Sequence, residues 1–166
     1  MKKCFVLFLM IAAAGQIPVA IAGKGANHSV LHDTAWIAYL NKLAEMLLKN
    51  NYYDSSMVYS SQAIEISDSL LRLSAVKSNS LYQTRCKMLK TKAMANFSNG
   101  LIYNKPNDAL DTLKSALKLA KETGNKSLEA VIYADIGNAY NSLSKDKAAL
   151  VNHLRSVSLF RETGSK

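Results

Sequence analysis

The phrase KETGNK, Lys121 to Lys126, returns almost letter for letter as RETGSK, Arg161 to Lys166, 40 residues later. Each copy carries a central glycine, and glycine readily takes the left-handed conformation with which many helices end. In the first copy Asn125 and Ser127 follow, and both are residue types that cap the beginning of a helix. The phrase therefore predicts a joint between two helices, with Gly124 and Asn125 as its turn residues.

A helical pattern fills the chain after about Asp33. Apolar residues recur at three- and four-residue spacing within segments rich in Ala, Leu, Lys and Ser, and the alternation typical of strands is absent. Since the joint recurs at a fixed interval, each interval is expected to hold one repeated unit. We predict an all-α fold of about three antiparallel helix pairs, with approximate repeats at 34–76, 81–123 and 127–163.

The segment from Tyr133 to Val157 shows the repeated unit most clearly. Ser144 and Lys145 form its predicted turn, and the small residues Gly137 and Ala149 lie where its two helices would cross. Two antiparallel helices joined by a short turn approach closely only where their side chains are small. Across the repeats, the residues predicted to pack the helices together are Leu43, Ala44, Tyr53, Ala63, Ala109, Ala116, Tyr133, Gly137, Tyr140, Ala149 and Ser156.

This pattern resembles the tetratricopeptide repeat, whose helix pairs stack into a right-handed superhelix, an α-solenoid. The resemblance covers Tyr133 to Val157 well, and an earlier copy runs from Tyr39 to Ile66 with Asn51 at its turn. The interval of 40 residues is similar to that of exported bacterial proteins of this type. The resemblance implies a helical repeat domain at 34–166 that binds other proteins.

The middle copy departs from the family pattern. Phe97 stands where a small residue is expected and Gly100 where an aromatic residue is expected, so either the helix crossing or the register differs there. The step from the first copy to the middle copy is 53 residues, which is 13 more than the next step. Longer helices between Ser69 and Lys92, with a break near Ser78 to Ser80, would absorb the difference.

In that family, ligand peptides lie along an inner surface formed by the first helix of each pair. Asn138 matches a position where some relatives use asparagine to bond a peptide backbone, and a solvated helix residue is its alternative role. Ala134 stands where a lysine would grip a terminal carboxylate, so no carboxylate clamp is implied. The resemblance implies a candidate peptide groove formed by Asn41, Lys42, Glu45, Lys49, Asn138 and Asn141, with Met94 and Ser98 from the middle copy.

The N-terminus has the layout of a secretory signal peptide. Two lysines precede an apolar run that ends in an A-x-A cleavage signal, Ala20 to Ala22, which predicts a signal peptide at 1–22 and a lead-in segment at 23–33. An uncleaved membrane anchor is the alternative, although Gln16 and Pro18 leave the apolar run shorter than the roughly 20 residues that a span needs. We expect export to the periplasm, with an extracellular or membrane-anchored location as the alternatives.

The chain carries a net charge of +9, which falls to +7 without the two lysines of the signal peptide. Because an exported protein rarely meets nucleic acid, this charge indicates a mild attraction to acidic partners instead. A basic cluster divides between two faces of one helix, Arg85 with Lys92 and Lys87 with Lys90, which is unlike a nucleic-acid groove. Cys86, the one cysteine outside the signal peptide, is expected to be a buried filler.

No cofactor, metal or catalytic activity is expected. The sequence lacks a phosphate-binding loop, a nucleophile elbow and a paired-cysteine motif. His28 and His32 have the spacing of two metal ligands on one helix face, but no third ligand is apparent. Asp33 or Thr34 is expected to cap the first helix, and His153 is expected to fill a core position in the last one.

The last predicted helix, roughly Asp146 to Thr163, leaves apolar surface uncovered. Because terminal repeats need a polar outer face, self-association through this helix is one expectation. The first functional hypothesis is an exported, non-catalytic scaffold that binds a protein or a peptide. The alternative is an N-terminal sensory fragment of a bacterial signal-transduction protein, either a histidine kinase or a regulator.

Overall fold

Six helices follow one another in residues 29–77 and 80–164, the part of the chain that the computed structural model describes. They are α1 (Ser29–Lys49), α2 (Tyr53–Lys77), α3 (Ser80–Leu101), α4 (Pro106–Glu122), α5 (Lys126–Ser142) and α6 (Asp146–Glu162). No strand occurs within these residues, so the predicted all-α class is confirmed. The predicted signal peptide at 1–22 lies outside the described residues. None of the helices described is long and apolar enough to cross a membrane.

The Thr–Gly pairs in the two copies of the joint phrase share their turn geometry. Gly124 has φ 67° and Gly164 has φ 66°, and the threonine before each glycine donates its hydroxyl to a carbonyl three residues earlier. The side chain of Asn125 then caps α5 by accepting a hydrogen bond from the backbone N–H of Leu128 at 2.9 Å. The phrase is therefore a turn between α4 and α5 in its first copy, and it ends α6 in its second.

The turns within the first and third helix pairs share a second type of helix ending, with a non-glycine residue in the left-handed conformation. Asn51 has φ 62° and Ser144 has φ 55°, so each puts a non-glycine residue in the left-handed region. In each turn the following residue donates its N–H to a carbonyl five residues back, Tyr52 to Leu47 and Lys145 to Tyr140, both at 2.9 Å. Each of these carbonyls also accepts the N–H three residues later, from Asn50 and from Leu143 at 3.1 Å, so the turn gives it two hydrogen bonds.

The first helix begins earlier than the sequence pattern predicted. It starts at Ser29, so Thr34 lies inside α1, where it is buried, and the expectation that Asp33 or Thr34 caps this helix is wrong. In the sequence, Val30 and Leu31 stand four and three residues before Thr34, which continues the helical spacing of apolar residue types toward the N-terminus. The predicted lead-in at 23–33 therefore overlaps α1.

Successive helices share their cores. One cluster of buried residues joins α1, α2 and α3, a second joins α3, α4 and α5, and a third joins α5 and α6. Among the predicted packing residues, those that are buried are Ala44, Ala63, Ala109, Ala116, Tyr133, Gly137, Ala149 and Ser156, whereas Leu43, Tyr53 and Tyr140 are half-buried. Cys86 is fully buried in the first cluster.

Small residues allow three close approaches between helices. The Ser56 hydroxyl donates to the carbonyl of Ala44 at 3.0 Å, which brings α2 against α1. A Cβ added to Gly137 would lie 2.5 Å from the His153 ring of α6, so the nearest neighbour of this glycine is that ring. A Cβ added to Gly100 would lie 2.5 Å from Met57. The middle copy thus has a glycine at the predicted aromatic position because α2 passes directly over it.

Polar side chains tie neighbouring pairs together. Asn41 donates to the carbonyl of Leu89 at 3.0 Å, and Asn96 donates to the carbonyl of Asn41 at 3.2 Å, so α1 and α3 are linked twice. In the basic cluster of α3, Arg85 and Lys92 are exposed, whereas Lys87 and Lys90 are half-buried.

Those other two lysines pair with carboxylates on neighbouring helices. Lys90 pairs with Asp68 of α2, and Lys87 pairs with Glu122 of α4 at 2.8 Å. The hydrogen bond from Lys87 lowers the pKa of the Glu122 carboxyl. This face of α3 is therefore a point of contact between helices rather than a free basic surface.

Candidate functional site

A cleft of about 510 Å³ opens between the first helices of the three pairs. Most of its lining comes from α1, α3 and α5, and Tyr53 adds the beginning of α2. The residues that line it are Leu48, Lys49, Tyr53, Asn99, Ile102, Tyr103, Asp135, Asn138, Asn141 and Ser142. The cleft therefore brings together residues from three helices that are not adjacent in sequence.

Helix α5 contributes one polar face to this cleft. Asp135, Asn138, Asn141 and Ser142 are spaced by three, three and one residues, which places them on the same side of a helix. Both asparagines are exposed, so their amides are accessible to a ligand. Each amide offers two N–H donors and a carbonyl acceptor, the complement of a peptide backbone.

The predicted groove residues do not all share this cleft. Lys49, Asn138 and Asn141 line it, whereas Lys42 and Glu45 are exposed on α1 and are not part of its lining. Asn41 is buried, and its side chain bonds α3 instead.

The middle helix contributes other residues than those predicted. Ser98 is fully buried and donates its hydroxyl to the carbonyl of Met94 at 2.7 Å, while Met94 packs against the central core. Asn99 of α3 lines the cleft in their place, together with Ile102 from the turn that follows α3. The register of α3 thus differs by one residue from the one that the repeat alignment gave.

Asp135 is a buried, ionisable residue of this cleft that the sequence pattern did not single out. Asp135 is only 8% exposed, and its Oδ2 has no hydrogen-bond partner among the described residues. Burial raises the pKa of the carboxyl to about 7, and a hydrogen bond from the Asn99 side chain partly offsets the rise. One available signal was its position three residues before Asn138 on the same helix face.

Two tyrosines form an aromatic wall at another part of the cleft. The rings of Tyr53 and Tyr103 meet edge to face with their centroids 6.0 Å apart. The hydroxyl of Tyr53 donates to Asn51 Oδ1 at 2.9 Å, which fixes this ring, while Tyr103 is 73% exposed. Exposed aromatic rings of this kind are common anchors in binding sites.

His153 lies at the α6 side of the same region. Its Nε2 is 3.3 Å from the Asn141 side-chain nitrogen, and its ring covers Gly137. The ring is half-buried, so His153 both packs against α5 and positions a cleft residue. The expected core role describes only the first of these contacts.

A second cleft, of about 340 Å³, lies near the joint phrase. Lys121 and Arg155 approach the ring of Tyr133 at 5.8 and 5.4 Å from its centroid. Glu129 and Glu162 also line this cleft, and Glu129 pairs with Lys126 at 3.5 Å. Its charges therefore balance one another largely within the protein.

The histidine pair singled out as a metal candidate gives no site in the described part of the chain. His28 lies outside it, and the side chain of His32 is not described. Among the residues that are, no group of three His, Cys, Asp or Glu side chains could hold a metal ion.

Comparison with known proteins leaves the resemblance to tetratricopeptide repeats as a prediction. No protein-family model matches this sequence, and no curated protein or solved structure matches it significantly. The cleft itself is therefore the structural basis for the function of this protein that is proposed below.

Proposed function

We propose that this protein is an exported, non-catalytic scaffold that binds an extended peptide, or a segment of another protein, in the cleft between α1, α3 and α5. The observation that carries the proposal is the convergence of Asn99, Asn138 and Asn141 with two tyrosines in one open cleft. The amides can bond a peptide backbone, and the rings can hold apolar side chains.

A preformed site favours such binding. The lining residues lie on helices whose cores are shared with their neighbours, so little of the cleft must be ordered when a ligand binds. The contact between α3 and α5, the first helices of neighbouring pairs, supports a tetratricopeptide-like right-handed superhelix. Such a stack would carry the cleft on its inner surface.

Peptide selection from a random display library tests the cleft. We expect selected peptides to bind the double variant Asn138→Ala/Asn141→Ala at least about tenfold more weakly, a loss of about 1.4 kcal/mol, because each amide bonds the ligand backbone. Asn107→Ala, which removes an exposed asparagine of α4 away from the cleft, is the matched control. Equal binding by all three proteins would show that the peptides use another surface.

Export is proposed from the sequence of 1–22, which predicts cleavage after Ala22. N-terminal sequencing of the protein recovered from the cell envelope checks this proposal. Gly23 as the first residue is the expected result, and an intact Met1 would contradict it.

We also propose that copies of this protein associate head to tail, with α6 of one copy packing against α1 of the next. The α6 end exposes four apolar side chains on neighbouring faces: Leu150, Val151, Leu154 and Val157. Leu150 occupies the repeat position of Leu110, 40 residues earlier. Leu110 is only 5% exposed because α5 covers it, whereas Leu150 is 59% exposed.

The α1 end exposes the complementary face. Ile132 and Ala139 of α5 are fully buried in the core that α5 shares with α4. The same repeat positions in α1, 93 residues earlier, are Tyr39 and Met46, which are 50% and 49% exposed. The internal contact between α4 and α5 is therefore the template for α6 of one copy against α1 of the next.

A further inference from the structure

One carboxylate oxygen in the cleft lacks a hydrogen-bond partner that its burial requires. Asp135 Oδ2 is without a partner among the described residues, although Asp135 is more than nine-tenths buried. A buried ionised oxygen without a partner costs several kcal/mol, and native proteins seldom leave one in that state without a functional reason. Because Asp135 lines the cleft, the missing partner can come from a ligand.

The chemistry of this oxygen favours a positively charged partner. The Asn99 side chain already hydrogen-bonds the carboxyl group, yet it leaves the charge uncompensated. A neutral donor would satisfy the geometry of Oδ2, but an ammonium or guanidinium group would also neutralise the charge, and such bonds are roughly twice as strong. The rings of Tyr53 and Tyr103 in the same cleft can hold a cation on their faces.

We propose that the cleft binds a ligand with one cationic group, the lysine or arginine side chain of a bound peptide, whose N–H donors bond Asp135 Oδ2. This inference rests on the proposed peptide-binding function and specifies the chemical class of its ligand. The asparagines would bond the backbone of that peptide, and Asp135 would select one of its side chains.

The other charged and titratable groups of the cleft limit how many cationic groups of a ligand it can bind. Lys49 lines the α1 side and opposes a second positive charge there, and among the described residues it forms no salt bridge with Asp135. Tyr53 of α2 and Tyr103 of the turn after α3 are titratable groups in the lining, and His153 of α6 lies 3.3 Å from Asn141. The cleft therefore accommodates one cationic group, next to Asp135.

A dependence on pH follows from the same geometry. A cation binds the ionised carboxyl, and the pKa of Asp135 is about 7 in the folded protein. Affinity for the cation is therefore expected to rise about tenfold between about pH 6 and about pH 8, where ionisation becomes nearly complete. Cation binding in turn lowers the pH at which Asp135 titrates.

Folding stability gives a separate readout of the same carboxyl. Its pKa in the unfolded chain is about 3.9, so the folded state holds the proton more tightly. The contribution of Asp135 to stability is thus fully present below about pH 4 and is lost as the pH rises to about 7. Asp135→Asn should remove this decline, which shows that the variant is folded and that the titration belongs to Asp135.

Carbon-13 spectroscopy of the aspartate carboxyl groups tests the proposal with n-butylammonium and n-propylguanidinium, which reproduce the side chains of lysine and arginine. We expect both cations to lower the titration midpoint of Asp135 in a saturable manner, while equal sodium chloride and butan-1-ol do not. Lys49→Met, which removes a positive charge from the cleft, should retain or strengthen the effect. An Asp135 resonance that responds no more to the cations than to sodium chloride would overturn the proposal.

Peptide selection separates this inference from the proposed function. The wild-type protein is expected to enrich lysine or arginine at one peptide position, and Asp135→Asn should lose that enrichment. Peptides that bind in the cleft without a cationic preference would overturn the inference and leave the proposed function standing. An Asp135 resonance that responds to butylammonium, when no peptide binds, would leave the cation site standing and contradict the proposed function.

Discussion

Leu110→Ala is expected to lower the free energy of unfolding by about 2 to 5 kcal/mol, whereas Leu150→Ala should change it by only about 0.5 kcal/mol. The two leucines stand 40 residues apart at one repeat position. Leu110 is buried in the core shared by α3, α4 and α5, and its removal would leave a cavity. Leu150 is 59% exposed on α6, so its removal exposes no core.

Urea unfolding, followed by circular dichroism at low protein concentration, measures both values. Low concentration matters because association would bury Leu150 and raise the cost of its loss. Similar losses for the two variants would mean that α6 is covered within the monomer, and that the exposed face is not available to a second copy. The pair therefore tests the repeat packing and the free end of α6 together.

A charge placed on the exposed face of α6 or of α1 is expected to raise the dissociation constant of self-association on the order of a hundredfold. The physical reason is that an unpaired charge would be buried in an apolar contact. Leu154→Glu places the charge on the α6 face, and Tyr39→Glu places it on the α1 face. Val58→Glu, at an exposed apolar residue of α2, is the control and should leave association unchanged. Sedimentation velocity over a range of protein concentrations measures the effect.

A mixing experiment distinguishes the head-to-tail arrangement from a symmetric dimer. Each charged variant is expected to be monomeric alone, but the two together should form a one-to-one dimer, because each retains one intact end. Wild-type protein should form species larger than a dimer, since a head-to-tail contact does not close on itself. A strictly monomeric wild-type protein would contradict the proposal, as would a failure of the two variants to associate.

Salt provides a further check on the nature of this contact. Both faces carry charges of both signs near their apolar residues, Lys42 and Glu45 on α1 and Asp146, Lys147 and Arg161 on α6. Raising salt should therefore change the association little, because the contact is apolar and its flanking charges partly offset one another. Weakening by salt would indicate ion pairs instead of apolar packing.

Local sequence signals were sufficient for the helices and for several of their ends. Apolar spacing predicted the all-α class, and the glycine of the recurring phrase has φ 67° at Gly124. These features depend on a few adjacent residues, namely on side chains one helical turn apart and on the conformational freedom of a single glycine. The start of α1 was placed late because a good capping residue, Thr34, also fits the inside of a helix.

The composition of the cleft could be predicted only in part. Helical spacing from Asn138 predicts Asn141 as its neighbour, and both line the cleft with Lys49. Asn41 also fits the pattern for a groove residue, but its side chain is buried and donates a hydrogen bond to the carbonyl of Leu89, 48 residues away. No spacing rule within one helix can reveal a partner at that distance.

The sequence by itself determined that this chain forms helices, where several of them turn, and which glycines must take the left-handed conformation. Only the tertiary structure decided that Gly100 faces Met57, that α3 lines the cleft through Asn99, and that Asp135 is buried with an unpartnered oxygen. The physical reason is the separation along the chain over which each effect acts. Helix propensity and turn conformation arise between neighbouring residues, whereas burial and the pKa of a carboxyl depend on which distant helices pack around it.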